Sequence, residues 1–154
     1  KPCTFYFAGK VEDEEYFNSC MQSIRQSGQE NSIKYLGQIS DIQNLLRDTD
    51  IVCVCSTKEG FGRVTVESML GKCLVVGAAS GATTELIQDG VNGILYQPDD
   101  EADFCKKLTA CIEQFDKYAG VVENGQKYAL SHFTDEKNTE GILLVYKNIA
   151  ERIR

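Results

Sequence analysis

The pattern of apolar and polar positions alternates along this chain between short apolar runs and segments in which apolar residues have helical spacing. Short apolar runs typical of strands occupy residues 3–9, 32–36, 50–55, 73–76 and 93–96. Between these runs, apolar residues recur every three or four positions, which predicts helices. The predicted helices cover residues 12–26, a short segment after Ser40, the segment ending near Gly71, the segment through Ile87, and three segments beyond Pro98.

The alternation of strands and helices predicts the fold class. It indicates an α/β, Rossmann-like parallel sheet with right-handed crossovers and helices on both faces. Ile51–Cys55 is unbroken by polar residues, so we expect this strand to be covered on both faces. Ligands of such sheets bind at the carboxyl ends of the strands. Four loops are therefore candidates for a binding site: Gly9 with Lys10, 37–39, 56–62 and 80–83.

Length and charge narrow the function classes. The 154 residues are expected to form one domain over 1–154. The net charge of −7 without a cluster of Lys and Arg argues against nucleic-acid binding and against an autonomous patch for anionic membranes. No run reaches the roughly 20 apolar residues of a membrane span.

The seven cysteines include no C-x-x-C pair, and the chain has one histidine. No metal site is therefore expected. Free thiols in a reducing cytoplasm are the predicted state. Five cysteines lie in apolar runs or on apolar helix faces, where we expect them to be buried: Cys3, Cys53, Cys55, Cys73 and Cys111.

The candidate chemistry lies in the loop that follows the third strand. Gly60 and Gly62 lack Cβ atoms and precede a helix, so an anion could approach the backbone N–H groups there. Glu59 and Glu67 bracket these donors, and carboxylates accept hydrogen bonds from hydroxyls. The pattern suits a ligand that carries hydroxyls on either side of a phosphate, as a nucleotide sugar does.

The same stretch resembles a known family. It reads Glu-Gly-Phe-Gly at 59–62, Val-Glu-Ser-Met-Leu-Gly at 66–71, Cys-Leu-Val-Val-Gly at 73–77 and Gly-Ala-Thr-Thr-Glu-Leu-Ile-Gln-Asp-Gly-Val-Asn-Gly-Ile-Leu at 81–95. The string is similar to the E-x7-E region of retaining GT-B glycosyltransferases, over roughly residues 33–150. The resemblance implies the C-terminal, donor-binding half of a GT-B fold.

The resemblance implies catalytic and substrate-binding roles for residues of this loop and of the helix that follows it. Glu59 is the expected catalytic residue and faces the transferred sugar, while Glu67 holds the ribose hydroxyls. The backbone N–H groups of Phe61, Gly62, Arg63 and Val64, next to Gly60, are expected to face the diphosphate or sugar. The Arg63 side chain either joins them or is simply exposed.

Two further segments are assigned by resemblance. Gln38 and Ile39 correspond to a segment that contacts the base through backbone atoms, which could read uracil, guanine or adenine; a UDP sugar is the preferred donor. Gly81 either lines the cleft or only makes a turn. The single histidine, His132, is expected to be solvated at the end of a helix rather than to act as a catalytic base.

The resemblance also implies a reaction and a larger protein. Relatives transfer a sugar, typically a hexose, from a nucleoside diphosphate to an acceptor hydroxyl, retaining the anomeric configuration and using no cofactor. They neutralise the diphosphate with an Arg and a Lys that we cannot place in this chain. We therefore expect an N-terminal acceptor domain to be missing, weak donor binding, and no transfer by this piece alone. Membrane contact, peripheral at the inner face, is expected only through the parent protein.

Other classes remain open at this point. The main alternative is a non-catalytic nucleotide-sugar-binding or regulatory subunit of a glycosyltransferase complex. A sugar-nucleotide epimerase or a phosphorylase is disfavoured by the Glu-Gly-Phe-Gly stretch at 59–62. A phospho-receiver domain is disfavoured because the acidic residues after the first strand, at 12–15, open a helix as surface charge and do not supply the acidic pair that would bind magnesium and accept phosphate.

Overall fold

The computed structural model describes residues 2–152. The described chain divides into two compact units, up to Ile42 and from Gln43 onward. The strands in chain order are β1 (Phe5–Phe7), β2 (Ile33–Tyr35), β3 (Ile51–Val54), β4 (Leu74–Ala78) and β5 (Ile94–Tyr96). The helices are α1 (Glu14–Gln26), α2 (Ile42–Arg47), α3 (Arg63–Leu70), α4 (Thr83–Leu86), α5 (Glu101–Glu113), a 3-10 helix (Phe115–Tyr118), α6 (Ala119–His132) and α7 (Asp135–Arg152).

The first unit contains β1, α1 and β2, and its two strands pair in parallel. Helix α1 begins two residues later than predicted because the Asp13 carboxylate accepts a hydrogen bond from the N–H of Tyr16, at 2.9 Å, and caps the helix. The Tyr35 ring packs against two phenylalanine rings, and its hydroxyl donates to the carbonyl of Gly9 at 2.6 Å. This bond ties Gly9, two residues after β1, to the last residue of β2.

The second unit is built on a parallel sheet in the order β3-β4-β5. Alternate residues of β4 point to opposite faces. Val75 belongs to a core formed with α3, α4 and the end of α6. Leu74 and Val76 belong to a second core formed with α5, the 3-10 helix and the start of α6. The predicted α/β class, with parallel strands flanked by helices, is confirmed, although the described strands form two sheets instead of one.

The prediction that β3 is covered on both faces is wrong for part of the strand. Of its four residues only Val54 is buried, and Cys53 is exposed. Within residues 2–152, β3 pairs with β4 along one edge only. A strand at the edge of a sheet lacks one neighbour, so its side chains are less covered than an apolar run suggests.

The cysteines divide in the same way. Cys73 and Cys111 are buried as predicted, whereas Cys3, Cys53 and Cys55 are exposed, and all seven cysteines are free thiols. The Cys73 thiol donates to the carbonyl of Leu46 at 3.2 Å. Burial, with a smaller contribution from Asp50, raises the pKa of Cys73 to about 11. This thiol is therefore protonated at neutral pH and serves as a small apolar side chain.

Helix α7 carries an exposed apolar stretch. The spacing of Ile142, Tyr146, Ile149 and Ile153 predicts one apolar stripe on this helix. The first three are each about half or more exposed, and so are residues 143–145, so the exposed apolar surface is wider than the stripe. Ile153 lies outside the described residues. Within residues 2–152, no helix is both long and apolar enough to cross a membrane.

Candidate functional site

Two loops of the second unit meet at the carboxyl ends of β3 and β4. The strands are parallel neighbours, with Val54 opposite Gly77, so the segments that leave them, 55–62 and 79–82, lie at the same edge of the sheet. The Ser80 hydroxyl donates to the carbonyl of Thr57 at 2.7 Å, and the N–H of Ala82 donates to the carbonyl of Glu59 at 3.1 Å. These two bonds join the loops into one surface.

Two glycines make this close packing possible. Gly81 has φ +52, and a Cβ there would lie 2.8 Å from the backbone oxygen of Glu59. Gly62 has φ +83, and a Cβ there would lie 2.5 Å from Cδ1 of the buried Leu86. Both conformations are rarely adopted by residues with side chains. The sequence allows Gly81 to line the cleft or only to make a turn; in the structure it makes the turn and also contacts the loop that carries Glu59.

Gly62 also determines the chemistry at the start of α3. It is the N-cap residue, and because it has no side chain, the first N–H groups of the helix receive no side-chain cap. Phe61 and Val64 are 58% and 48% exposed, so the segment that carries these amides lies at the surface. The arrangement presents hydrogen-bond donors at the positive end of the helix dipole.

Glu59 bonds within its own loop. Its Oε1 accepts a hydrogen bond from the N–H of Gly62 at 3.1 Å, and the residue is half-buried. This contact fixes one carboxylate oxygen three residues ahead of the helix. The sequence assigned Glu59 to the transferred sugar and gave no indication of this local bond. That role stays a prediction.

Glu67 lies one turn into α3, as predicted. Its carboxylate pairs with the Arg63 guanidinium, at 3.1 Å between Oε1 and Nη2, and its side chain is 31% exposed. The Arg63 side chain is 81% exposed, so it lies along the helix surface over Glu67. An exposed pair at this spacing stabilises a helix by only about 0.3–0.5 kcal/mol. A ligand that offers stronger hydrogen bonds could displace it.

Gln38 and Ile39 belong to the other compact unit. They follow β2, and the preceding Gly37 has φ +72 and accepts a hydrogen bond at its carbonyl from the N–H of Gly9, at 2.8 Å. The two residues therefore lie at the carboxyl end of β2, where the sequence placed them. Their expected contact with a base stays a prediction.

The structure adds features near the site that the sequence did not indicate. Thr65 and Thr83 are completely buried, and within the described residues neither hydroxyl has a hydrogen-bond partner. Phe133, at the end of α6, packs its ring edge-on against Phe61 with centroids 6.0 Å apart. Thr65 is near Gly62 in sequence and could have been noticed. Phe133 gives no local signal because it is far from the loop along the chain.

Replacing Thr65 by valine is expected to raise the free energy of unfolding by about 1 kcal/mol. The change keeps the shape of the side chain and removes a buried hydroxyl that lacks a partner. Chemical denaturation measures the effect. Thr49→Val is the matched control: the Thr49 hydroxyl donates to the carbonyl of Leu45 at 2.7 Å, so that variant should lose stability. If Thr65→Val lost as much as the control, the Thr65 hydroxyl would have a partner in solution.

The last candidates are the single histidine and side chains that could bind a metal ion. His132 is exposed, and its Nδ1 lies 2.9 Å from the carbonyl oxygen of Tyr128, in agreement with a solvated residue at a helix end. No group of three or more His, Cys, Asp or Glu residues capable of holding a metal ion occurs between residues 2 and 152.

Comparison with known proteins gives a family match that includes the candidate site. The family model described as glycosyl transferases group 1 matches residues 1–128. The chain belongs to the glycosyl transferases group 1 family. The match contains all the candidate residues at 38–39 and 59–81, which agrees with the resemblance read from the sequence.

Curated proteins named as glycosyltransferases align over most of this chain. A D-inositol 3-phosphate glycosyltransferase of Corynebacterium kroppenstedtii is 31% identical over 108 residues, covering 70% of this chain and 24% of the relative. An uncharacterized glycosyltransferase of Methanocaldococcus jannaschii is 29% identical over 121 residues, covering 77% of this chain and 34% of the relative. The chain thus spans between 24% and 34% of the length of these relatives.

Solved structures of group 1 enzymes and related proteins share the fold. HepE of Anabaena, determined in complex with UDP, is 33% identical with a TM-score of 0.81, covering 98% of this chain and 40% of that chain. The C-terminal domain of a glycosyl transferase group 1 protein (LpcC) from Francisella tularensis is 29% identical with a TM-score of 0.75, covering 82% of this chain and 66% of that chain.

Proposed function

We propose that this chain is the donor-binding part of a retaining glycosyltransferase, which binds a UDP sugar for transfer of a hexosyl group to an acceptor hydroxyl. One observation carries the proposal: the uncapped N-terminus of α3 lies between two carboxylates, Glu59 and Glu67, on a loop fixed by backbone contacts. Family membership supports the transferase class. The UDP and UDP-glucose complexes of the Anabaena protein support the choice of donor.

Each group in the loop has a part in the proposed mechanism. The N–H groups of Phe61, Arg63 and Val64 bind the diphosphate, whose negative charge grows as the bond to the sugar breaks, while the Gly62 N–H keeps its bond to Oε1 of Glu59. Glu67 exchanges its bond with Arg63 for bonds from the ribose hydroxyls. Arg63, once released, is long enough to turn toward the diphosphate. The second carboxylate oxygen of Glu59 accepts from sugar hydroxyls and orients the anomeric carbon toward the acceptor.

The proposal extends to the whole polypeptide. The acceptor is bound by an N-terminal domain outside this chain, and the enzyme acts in the cytoplasm without a resident cofactor. The chain alone then binds the donor weakly and transfers nothing. A contact of Gln38 and Ile39 with the base stays a prediction from the resemblance.

Calorimetry on the full chain tests the proposal. UDP, GDP and ADP are titrated separately, and UDP is expected to bind most tightly. Binding of none of the three would overturn the proposed function, and preference for another nucleotide would overturn the choice of UDP. Transfer from a radiolabelled UDP sugar is then measured for the chain and for the full-length polypeptide. Transfer by the full-length polypeptide only is expected; transfer by the chain alone would contradict the proposed division of labour.

A further inference from the structure

The end of helix α6 reaches the candidate site. Phe133 follows α6 directly as its C-cap residue, and its ring meets the Phe61 ring at an interplanar angle of 87° with centroids 6.0 Å apart. The ring of Tyr128, about one turn earlier in α6, also lies edge-on to the Phe133 ring, with centroids 5.8 Å apart. Such edge-to-face pairs are the favoured geometry for aromatic rings.

The ring contact with Phe133 can affect the conformation of the loop 55–62 through the Phe61 side chain. Its neighbours on both sides, Gly60 and Gly62, have no side chains. The Phe61 ring is itself 58% exposed, so a small number of contacts hold it. The Phe61 N–H is one of the donors proposed to bind the diphosphate. A rotation of the backbone at this residue would therefore redirect that donor.

Phe133 is well placed to hold Phe61 because α6 is firmly attached to α3. Gly125 packs so closely that a Cβ there would lie 2.9 Å from the carbonyl oxygen of Asn92 and 3.5 Å from the Met69 side chain. The Gln126 amide donates to the carbonyl of Leu70 at 3.2 Å. Farther along α6, Ala129 is fully buried and its carbonyl accepts from the N–H of Phe133 at 2.9 Å.

The loop is thus supported from two directions. Loop 80–82 holds the backbone of Glu59 and residue 57 through hydrogen bonds. On the other side, Phe133 packs against the core formed by α3, α4 and the sheet, and extends from it to the Phe61 ring. Without the Phe133 ring, the backbone bonds of Glu59 would remain while Phe61 would be free to rotate.

We propose that Phe133 is a positioning residue for diphosphate binding: its ring fixes Phe61 and thereby the direction of the backbone N–H groups at the start of α3. This inference rests on the proposed function, because it assigns those donors to a diphosphate. It goes beyond that function by adding a residue outside the motif and outside both site loops. The aromatic edge is required for this role, and an aliphatic side chain of similar size does not supply it.

The test compares three substitutions in the full chain: Phe133→Ala, Phe133→Leu and Phe133→Tyr. Affinities for UDP and for uridine, which has no phosphate, are measured by calorimetry and by competition. The ratio of UDP to uridine affinity is expected to fall about fivefold in the Ala and Leu variants. The Tyr variant, which keeps the ring, should retain the ratio of the parent chain.

A second aromatic residue controls for loss of stability. Phe104 packs on Tyr96 at 4.8 Å in the other core, to which neither Phe61 nor Phe133 belongs. Phe104→Ala should lower the melting temperature while leaving the affinity ratio unchanged. The inference is overturned if Phe133→Ala keeps the ratio of the parent chain, or if Phe133→Leu restores it. Failure of the parent chain to bind UDP, GDP or ADP would instead overturn the proposed function, so the two failures are distinguishable.

Discussion

Gly81→Ala is expected to lower the free energy of unfolding by about 3 kcal/mol and to abolish UDP binding. At φ +52 an alanine is strained, and its Cβ would lie 2.8 Å from the backbone oxygen of Glu59. The obstructing atom belongs to the backbone, so it moves only if the loop moves with it. The shift would weaken the bond between the N–H of Ala82 and that same oxygen.

Denaturation and calorimetry measure the two effects of Gly81→Ala. The control is Gly141→Ala in α7, where nothing lies within 4 Å of the new Cβ. An alanine inside a helix is favoured over glycine by roughly 0.5–1 kcal/mol, so the control should be as stable as the parent chain or more stable. If Gly81→Ala kept both the stability and the UDP affinity of the parent chain, the described contact between the two loops would be wrong.

Glu67→Ala is expected to weaken UDP binding by at least about tenfold, because hydrogen bonds to a charged acceptor are worth roughly 1.5–3 kcal/mol. The assignment to the ribose makes a sharper prediction. If the Glu67 carboxylate accepts hydrogen bonds from ribose hydroxyls, removing a hydroxyl from the ligand and removing the carboxylate each break the same interaction. The two losses of binding free energy should therefore not be additive. The loss on Glu67→Ala should therefore be much smaller for 2′-deoxy-UDP than for UDP.

Two controls separate this effect from the loss of an ion pair. Arg63→Ala removes the partner of Glu67 and should cost stability of only about 0.3–0.5 kcal/mol. Glu123→Ala removes another glutamate of an exposed i,i+4 pair, 2.9 Å from Lys127 on α6, and should leave UDP affinity unchanged. Equal losses for UDP and 2′-deoxy-UDP would place the ribose hydroxyls away from Glu67.

Much of the fold could be predicted from the pattern of apolar residues. Each predicted strand forms, and Glu67 lies where the helical spacing put it. The limits of the elements were less certain, because they depend on single contacts. The Asp13 cap delays α1, and the exposed Cys53 reflects an edge position that depends on strand neighbours. Local spacing contains no information on which strands are adjacent.

The candidate site was predictable where it is continuous in sequence. In residues 59–67, two glycines and two glutamates indicate a binding site from the sequence alone. The bond from the N–H of Gly62 to Glu59 and the contact of Gly81 with the Glu59 backbone are fixed by loop conformation. Phe133 reaches the loop only because α6 packs on α3. Such contacts depend on tertiary packing, which the order of residues along one segment does not reveal.

A crystal structure of the chain with UDP tests the central claim most directly. The account predicts diphosphate oxygens within hydrogen-bond distance of backbone nitrogens in residues 61–64, and the Glu67 carboxylate on the ribose hydroxyls with its Arg63 bond broken. UDP bound elsewhere, with Glu67 still paired to Arg63 and the start of α3 facing solvent, would contradict it.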